Sequence, residues 1–250
     1  MRDILGRRGL RALHQLAGRD TLLAFDFDGT LAPIADDHSG AWMRPATRRL
    51  LGRLARRYPC AVISGRALRD LRPRLQGVAV RGLVGNHGAE GNGARRGAAV
   101  LRRTVRAWRR RLSEPRWMIG RQMIEDKGLS LTIHYRRAPD PDAAERIIRR
   151  AIRGLRGARV VSGKMGLNVI PAGAPDKGAA FVRLMRGAGC EAAVYVGDDT
   201  TDEDVFALTG IPHLLTIRVG RSRSSHAAYC LSRQEEIDDL LAVLLALRTL

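Results

Sequence analysis

The chain has 250 residues, 45% of them hydrophobic, with regular Gly and Pro punctuation, so it can bury a sizeable core as one large or two small domains, and disorder is excluded. No apolar run approaches the roughly 18 residues of a membrane-spanning helix, and the Arg-rich start lacks the apolar core of a secretory signal, so the expected location is the cytoplasm with no membrane partner. A net charge of +19 is the footprint of a phosphate-backbone binder, yet aromatic residues make up only 4%, which leaves few platforms for stacking single-stranded bases.

Along the chain, Ile4, Leu5, Leu10, Leu13 and Leu16 predict a packing helix ahead of the first strand. Leu22-Leu23-Ala24-Phe25 is short and bounded, as a buried parallel strand should be, and it runs into Asp26-Phe27-Asp28-Gly29-Thr30. Strand side chains alternate, so Asp26 and Asp28 project from one side and Phe27 from the other. Paired carboxylates at the carboxyl end of a strand lie where open α/β sheets bind ligands, and they suit a hard cation with an anionic substrate. Pro45 opens a helix with Leu50, Leu51 and Leu54 inward and Arg48, Arg49, Arg53, Arg56 and Arg57 outward. The strand Ala61-Val62-Ile63 follows, then a short helix bearing Leu68, Leu71 and Leu75, then a strand from Val78 to Val84. Such alternation implies parallel βαβ units.

Residues 91–170 read differently. Arg102, Arg103, Arg106, Arg109, Arg110 and Arg111 fill the solvent face of an amphipathic helix whose apolar face carries Leu101, Val105, Trp108 and Leu112. Strand-like Trp117 to Ile124, a break at Gly128, strand-like Leu129 to Tyr135, a helix from Pro141 to Leu155 and strands around Arg159–Val161 and Leu167–Ile170 complete an α-β-β-α-β-β order. This predicts a small sheet covered by two helices, and the alternation of Ser130, Thr132, His134 and Arg136 with apolar residues gives that sheet one polar face. From Pro171 the earlier pattern returns: a helix after Lys177, a strand from Ala192 to Val196, a helix from about Thr201, a strand from Leu214 to Val219 and a terminal helix through Leu250. The predicted fold is α/β, a doubly wound parallel-sheet (Rossmann-like) core of residues 1–90 and 171–250 with a smaller inserted α+β domain of residues 91–170.

The strand ending at Val196 leads into Gly197-Asp198-Asp199 with Asp202, a second acidic strand end that can converge with the first on one Mg²⁺. Only three of the 44 basic residues are lysine, and Lys127, Lys164 and Lys177 all fall in motif-like places, which marks them as sites that need a compact ammonium. Cys60, Cys190 and Cys230 show no metal-ligand spacing.

Asp26-Phe27-Asp28-Gly29-Thr30, Ser64-Gly65-Arg66, Lys177-Gly178 and Gly197-Asp198-Asp199 with Asp202 resemble, in order and spacing, the four motifs of haloacid-dehalogenase-type phosphatases. Gly85-Asn86-His87-Gly88-Ala89-Glu90, Glu125-Asp126-Lys127 with Ser130 and His134-Tyr135-Arg136, and Gly163-Lys164 leading to Pro171 resemble the trehalose-6-phosphate phosphatases within them. The resemblance implies Mg²⁺-dependent hydrolysis of a sugar phosphate. Asp26 is then the nucleophile, Asp28 the acid and base, Ser64 a phosphoryl ligand and Lys177 a charge-neutralising group that restrains Asp26. Asp26, the main-chain carbonyl of Asp28 and Asp198 are the implied metal ligands, with Asp199 or Asp202 in or near the shell. Arg66, Asn86, His87 and Glu90 are expected near the sugar. The inserted domain is implied to be a specificity cap, with Glu125, Lys127, His134, Lys164 and Asn168 as its candidate ligands. The chain departs from its relatives at Asn168-Val169-Ile170-Pro171, where they carry Glu-x-Arg-Pro. That leaves another phosphorylated sugar or pseudo-disaccharide as an alternative substrate, and a non-catalytic basic binding protein on the same scaffold as a second alternative. The expected partner is a small sugar phosphate, with no specific nucleic acid and no obligate protein partner.

Overall fold

The computed structural model describes residues 1–35, 40–91, 97–117, 119–120, 123–163 and 165–248. The chain forms two compact units, Met1–Gly93 with Asp176–Leu250, and Ala94–Pro175. In chain order, the first unit contributes β1 (Arg2–Asp3), α1 (Arg7–Ala17), β2 (Thr21–Phe25), α2 (Pro45–Leu54), β3 (Cys60–Ile63), α3 (Leu68–Arg74), β4 (Gly82–Gly85) and β5 (Glu90–Gly91). The second contributes α4 (Ala98–Leu112), β6 (Ile124–Asp126), β7 (Leu131–His134), α5 (Pro141–Arg153), β8 (Ala158–Gly163) and β9 (Gly166–Pro171). The first then resumes with α6 (Lys177–Ala188), β10 (Ala192–Gly197), α7 (Glu203–Phe206), β11 (Leu214–Val219), β12 (Tyr229–Leu231) and α8 (Ile237–Leu247).

Among the described residues the first unit holds an eight-stranded sheet in the order β1-β12-β11-β10-β2-β3-β4-β5. Every pairing is parallel except β4 with β5. Its central strands are apolar on both sides because each face is covered. Leu23, Phe25, Cys60, Val62, Val194 and Val196 pack with α1, α2, α3 and α8 on one face. Their alternates Leu22, Ala24, Ala61, Ile63, Ala193 and Tyr195 pack with Phe181 and Leu184 of α6 and Val205 and Phe206 of α7 on the other. This is the doubly wound arrangement expected from the alternating pattern.

In the second unit the antiparallel order is β6-β7-β9-β8. One face, with Leu131, Ile133, Leu167 and Val169, buries Val105, Trp108 and Leu112 of α4 and Ile148 and Ile152 of α5. The arginines of α4 therefore line its outer side, as its periodicity predicts. Asp140 starts α5, its carboxylate accepting the Ala143 N–H at 2.9 Å, with Pro141 in the first turn.

Several boundaries differ from the expected ones. The strand expected from Val78 begins only at Gly82, because the chain folds back at Val78, whose carbonyl accepts the Val80 N–H at 2.9 Å in a tight turn. The strand expected over Trp117–Ile124 starts at Ile124, and Pro115–Trp117 forms a 3-10 turn instead; residues 118, 121 and 122 lie outside the described residues. A 3-10 turn, Thr200–Asp202, precedes the short α7, and α8 ends at Leu247, with 249 and 250 outside the described residues. Leu10 is 38% exposed, since the buried stripe of α1 runs through Gly9, Leu13 and Leu16 and Ile4 packs from the turn before the helix. The short strands β1 and β12, at and next to one edge of the sheet, carry no sequence signal beyond two or three residues. No helix among the described residues is long and apolar enough to cross a membrane.

Leu51 is fully buried on α2. Leu51→Ala is expected to lower unfolding free energy by about 2–5 kcal/mol, whereas Leu10→Ser should stay within about 0.5 kcal/mol. Urea denaturation followed by circular dichroism measures both, and equal losses would contradict the assignment of the buried stripe.

Candidate active site

Strands β10, β2, β3 and β4 are neighbours and parallel, so their carboxyl ends lie side by side and bring the loops that follow them into one row. The Asp26 N–H still bonds the Val196 carbonyl at 2.8 Å, extending the ladder by one residue before the chain turns through Gly29. Two glycines make room for acids here. A Cβ on Gly29, which has φ +77°, would lie 2.1 Å from Asp198 Oδ2, and one on Gly197 would lie 2.2 Å from the Asp202 carboxyl carbon.

Asp26, Asp198 and Asp202 are buried, and each offers an oxygen within 4.8 Å of the others. Lys177, the first residue of α6, is 1% exposed, with Nζ 2.9 Å from Asp26 Oδ2 and 2.8 Å from Asp202 Oδ1. Its placement follows from the helix start, where Asp176 accepts the Ala179 N–H at 2.7 Å. Tyr195 O–H also donates to Asp202 Oδ1 at 2.6 Å, and the N–H groups of Asp198 and Asp199 both donate to Asp202 Oδ2 at 2.9 Å. Phe181 and Phe206 meet the Tyr195 ring edge-on at 5.7 and 5.8 Å, which pins the hydroxyl in place.

Burial pushes the Asp26 carboxyl well above the usual carboxylate range against the pull of Lys177, and the charges of Asp202, Asp198 and Asp28 add to the rise. Burial works against the Lys177 ammonium, yet Asp202 and Asp26 more than offset it and hold its pKa above the ordinary lysine value. With all three carboxylates ionised, one ammonium leaves an excess negative charge of the size a divalent cation would neutralise. The all-oxygen donor set suits a hard cation such as Mg²⁺. Asp202 already accepts four hydrogen bonds, which fills a carboxylate, so it positions the cluster while Asp26 and Asp198 keep capacity for a metal.

The other expected core residues are placed as follows. Asp199 caps the turn after β10 in a reciprocal pair with Asp202 and stands outside the acidic cluster. Asp28 is also outside it: Arg66 forks onto both of its oxygens at 2.6 Å, and the same guanidinium reaches Asp70 at 2.6 Å. Arg66 therefore carries Asp28. Ser64 is fully buried directly after β3, its Oγ accepting the Arg66 N–H at 3.2 Å. Asn86 and His87 take left-handed φ values of 49° and 56° just past β4, a strained pair of the kind concentrated at functional sites. Their N–H groups bond the carbonyls of Arg66 and Ser64 at 2.7 and 3.0 Å, and Glu90 Oε2 accepts from Leu68 N–H and Asn86 Nδ2, both at 2.8 Å. Asn86, His87 and Glu90 thus buttress the loop that holds Ser64 and Arg66.

In the second unit, Glu125 Oε2 lies 2.9 Å from His134 Nε2 and 3.9 Å from Lys127 Nζ. Asn168 Oδ1 accepts from Thr132 Oγ1 at 2.7 Å. Lys164 lies outside the described residues.

The family model for trehalose-phosphatases matches residues 24–211. The chain belongs to the trehalose-phosphatase family. Trehalose-phosphate phosphatases of Mycobacterium tuberculosis and Mycobacterium avium are 30% and 34% identical to it over 91% of its length. The chain spans 62% and 63% of those two relatives. Among solved structures, an Aspergillus fumigatus trehalose-6-phosphate phosphatase superposes with a TM-score of 0.65 at 26% identity, covering 98% of this chain and 99% of that one. The C-terminal domain of the Candida albicans trehalose-6-phosphate phosphatase shares the fold, with a TM-score of 0.79 at 24% identity and 99% of each chain covered.

Sequence reasoning missed three residues that hold candidate residues in place within their own unit. Tyr195 is a lone polar-tipped aromatic in an otherwise apolar strand, which was a usable signal. Asp70 sits four residues after Arg66 and four before Arg74, and it pairs with both. Thr132 becomes visible only once β7 is paired with β9.

The excess charge generates a test. Asp198→Asn removes one of three crowded carboxylates, so the metal-free protein should gain about 1 kcal/mol, or about 2–4 °C in Tm, and Mg²⁺ should raise the Tm of the unaltered chain but not of the variant. Thermal melts with EDTA and with Mg²⁺ measure it; a destabilised metal-free variant would contradict the charge argument.

Proposed function

We propose that the chain is a Mg²⁺-dependent phosphatase that hydrolyses trehalose 6-phosphate to trehalose and phosphate through an aspartyl-phosphate on Asp26. The observation that carries it is the buried Asp26-Lys177-Asp202 arrangement beside Asp198, in a chain of the trehalose-phosphatase family. Asp26 attacks phosphorus as the bond to the sugar oxygen breaks, and Asp28 gives that oxygen its proton. Water then attacks the aspartyl-phosphate, Asp28 takes a proton from it, and Asp26 is released with inorganic phosphate. Arg66 holds Asp28 through one N–H on each oxygen, and each oxygen keeps a second lone pair for the proton. Lys177 keeps Asp26 aimed and neutralises charge on the transferring group, and Ser64 offers a hydroxyl to a phosphoryl oxygen. Asp26, Asp198 and the main-chain carbonyl of Asp28 would hold Mg²⁺, which would supply positive charge to offset repulsion between nucleophile and substrate.

The unit Ala94–Pro175 is assigned the role of cap, with Glu125, Lys127, His134, Lys164 and Asn168 toward the sugar. Asp26→Asn should leave the circular dichroism spectrum unchanged and abolish phosphate release, and EDTA should do the same to the unaltered chain, reversibly with Mg²⁺. A folded Asp26→Asn variant that keeps near-normal turnover would remove the covalent mechanism.

Asn168 supports a second reading, a phosphatase of another phosphorylated sugar, since an amide bonded to Thr132 stands where relatives carry Glu. If the substrate is trehalose 6-phosphate, Asn168→Glu should preserve or raise kcat/KM. A loss of about tenfold or more, together with faster wild-type turnover of a different sugar phosphate, would favour the second reading.

A further inference from the structure

Glu125 of β6, Thr132 of β7 and Asn168 of β9 stand in one register row across the sheet, on the face opposite the apolar core. Thr132 and Asn168 are 6% and 8% exposed, so their polar groups are largely withdrawn from bulk water and their pairing decides what they offer a ligand. The Thr132 Oγ1 to Asn168 Oδ1 distance of 2.7 Å is that of an O–H···O bond and shorter than the usual N–H···O distance. The hydroxyl therefore donates to the carboxamide oxygen. This turns the amide nitrogen away, toward Gly163, where a Cβ would lie 3.3 Å from Nδ2 and the glycine leaves that space open. Among the described residues no acceptor is paired with Nδ2.

We propose that Thr132 is a specificity-determining residue: by holding Asn168 through its oxygen, it makes the centre of this polar face a hydrogen-bond donor to an oxygen lone pair of the sugar. The inference rests on the sugar-phosphatase reading and on the cap role of this unit. A carboxylate at position 168 would be an acceptor and would repel an anionic substituent. The Thr132-Asn168 pair accepts sugars that present a hydroxyl, ether or carbonyl oxygen there, and the acceptor in the same row is Glu125. A sugar spanning the row meets an acceptor at one side and a donor at the other.

The test is the ratio of kcat/KM for trehalose 6-phosphate to that for p-nitrophenyl phosphate, which has no sugar to reach the row. Thr132→Val should lower this ratio about tenfold and Thr132→Ser should restore it, the size expected for one well-aligned neutral hydrogen bond. Asn168→Ala should lower the ratio similarly, and the double variant Thr132→Val/Asn168→Ala should be no worse than either single one, because the two residues act as a unit. An unchanged ratio in Thr132→Val, a loss that Thr132→Ser fails to restore, or additive losses in the double variant would each overturn the inference while leaving the phosphatase reading intact. A wild-type chain that hydrolyses the aryl phosphate and no sugar phosphate would remove the sugar reading and this inference with it.

Discussion

The Lys177 ammonium, held between Asp26 and Asp202 with almost no exposure, is the interaction on which the site depends. A buried charge persists only when paired, and removing one partner of such a pair typically destabilises by about 3–5 kcal/mol. Without Lys177, three carboxylates would face one another in a pocket closed by Tyr195 and its aromatic neighbours. The same ammonium aligns the proposed nucleophile. Stability and the proposed chemistry therefore share one group, and the surplus negative charge that remains suits a divalent cation.

The cluster can be this crowded because the sheet supplies its geometry at the backbone level. Parallel β10 and β2 deliver Asp198 and Asp26 side by side, and glycines at positions 29 and 197 let each acid approach chain that any Cβ would block. Asp202 then spends its four acceptor sites on Lys177, Tyr195 and two main-chain N–H groups. On the other side of β2, the loop bearing Ser64 and Arg66 is fastened by the strained Asn86-His87 turn. Strain at these two residues is tolerated because Glu90 and two carbonyls hold the loop from several directions.

Much of this was legible in the sequence wherever period and chemistry coincide. The alternation of apolar runs with helical stripes gave the doubly wound core, and the two acidic strand ends, Ser64 and Lys177 were visible from their positions at those ends. What was hidden depends on pairing across the chain. Whether Asp199 or Asp202 joins the cluster is decided by a capping turn whose hydrogen bonds no spacing reveals. The pairing of Arg66 with Asp28 and Asp70 was not visible, because those partners lie 38 residues before it and one helical turn after it. Thr132 reads as one more polar residue in an alternating strand until its neighbour across the ladder is known.

On the proposed reading, the two units divide the labour by the kind of structure each provides. Strand ends and helix starts suit phosphoryl chemistry, because backbone N–H groups and buried ion pairs there are oriented before substrate arrives. A flat antiparallel face suits sugar recognition, because its rows of alternate side chains can exchange a donor for an acceptor at one position without disturbing the ladder beneath. Asn168 in place of the carboxylate that the family resemblance implies there would be such an exchange. Its effect on selectivity passes through Thr132, which decides whether the carboxamide shows its oxygen or its nitrogen. On the proposed reading, specificity in this unit can drift by single substitutions, while loss of Lys177 itself would leave Asp26 and Asp202 without their shared partner.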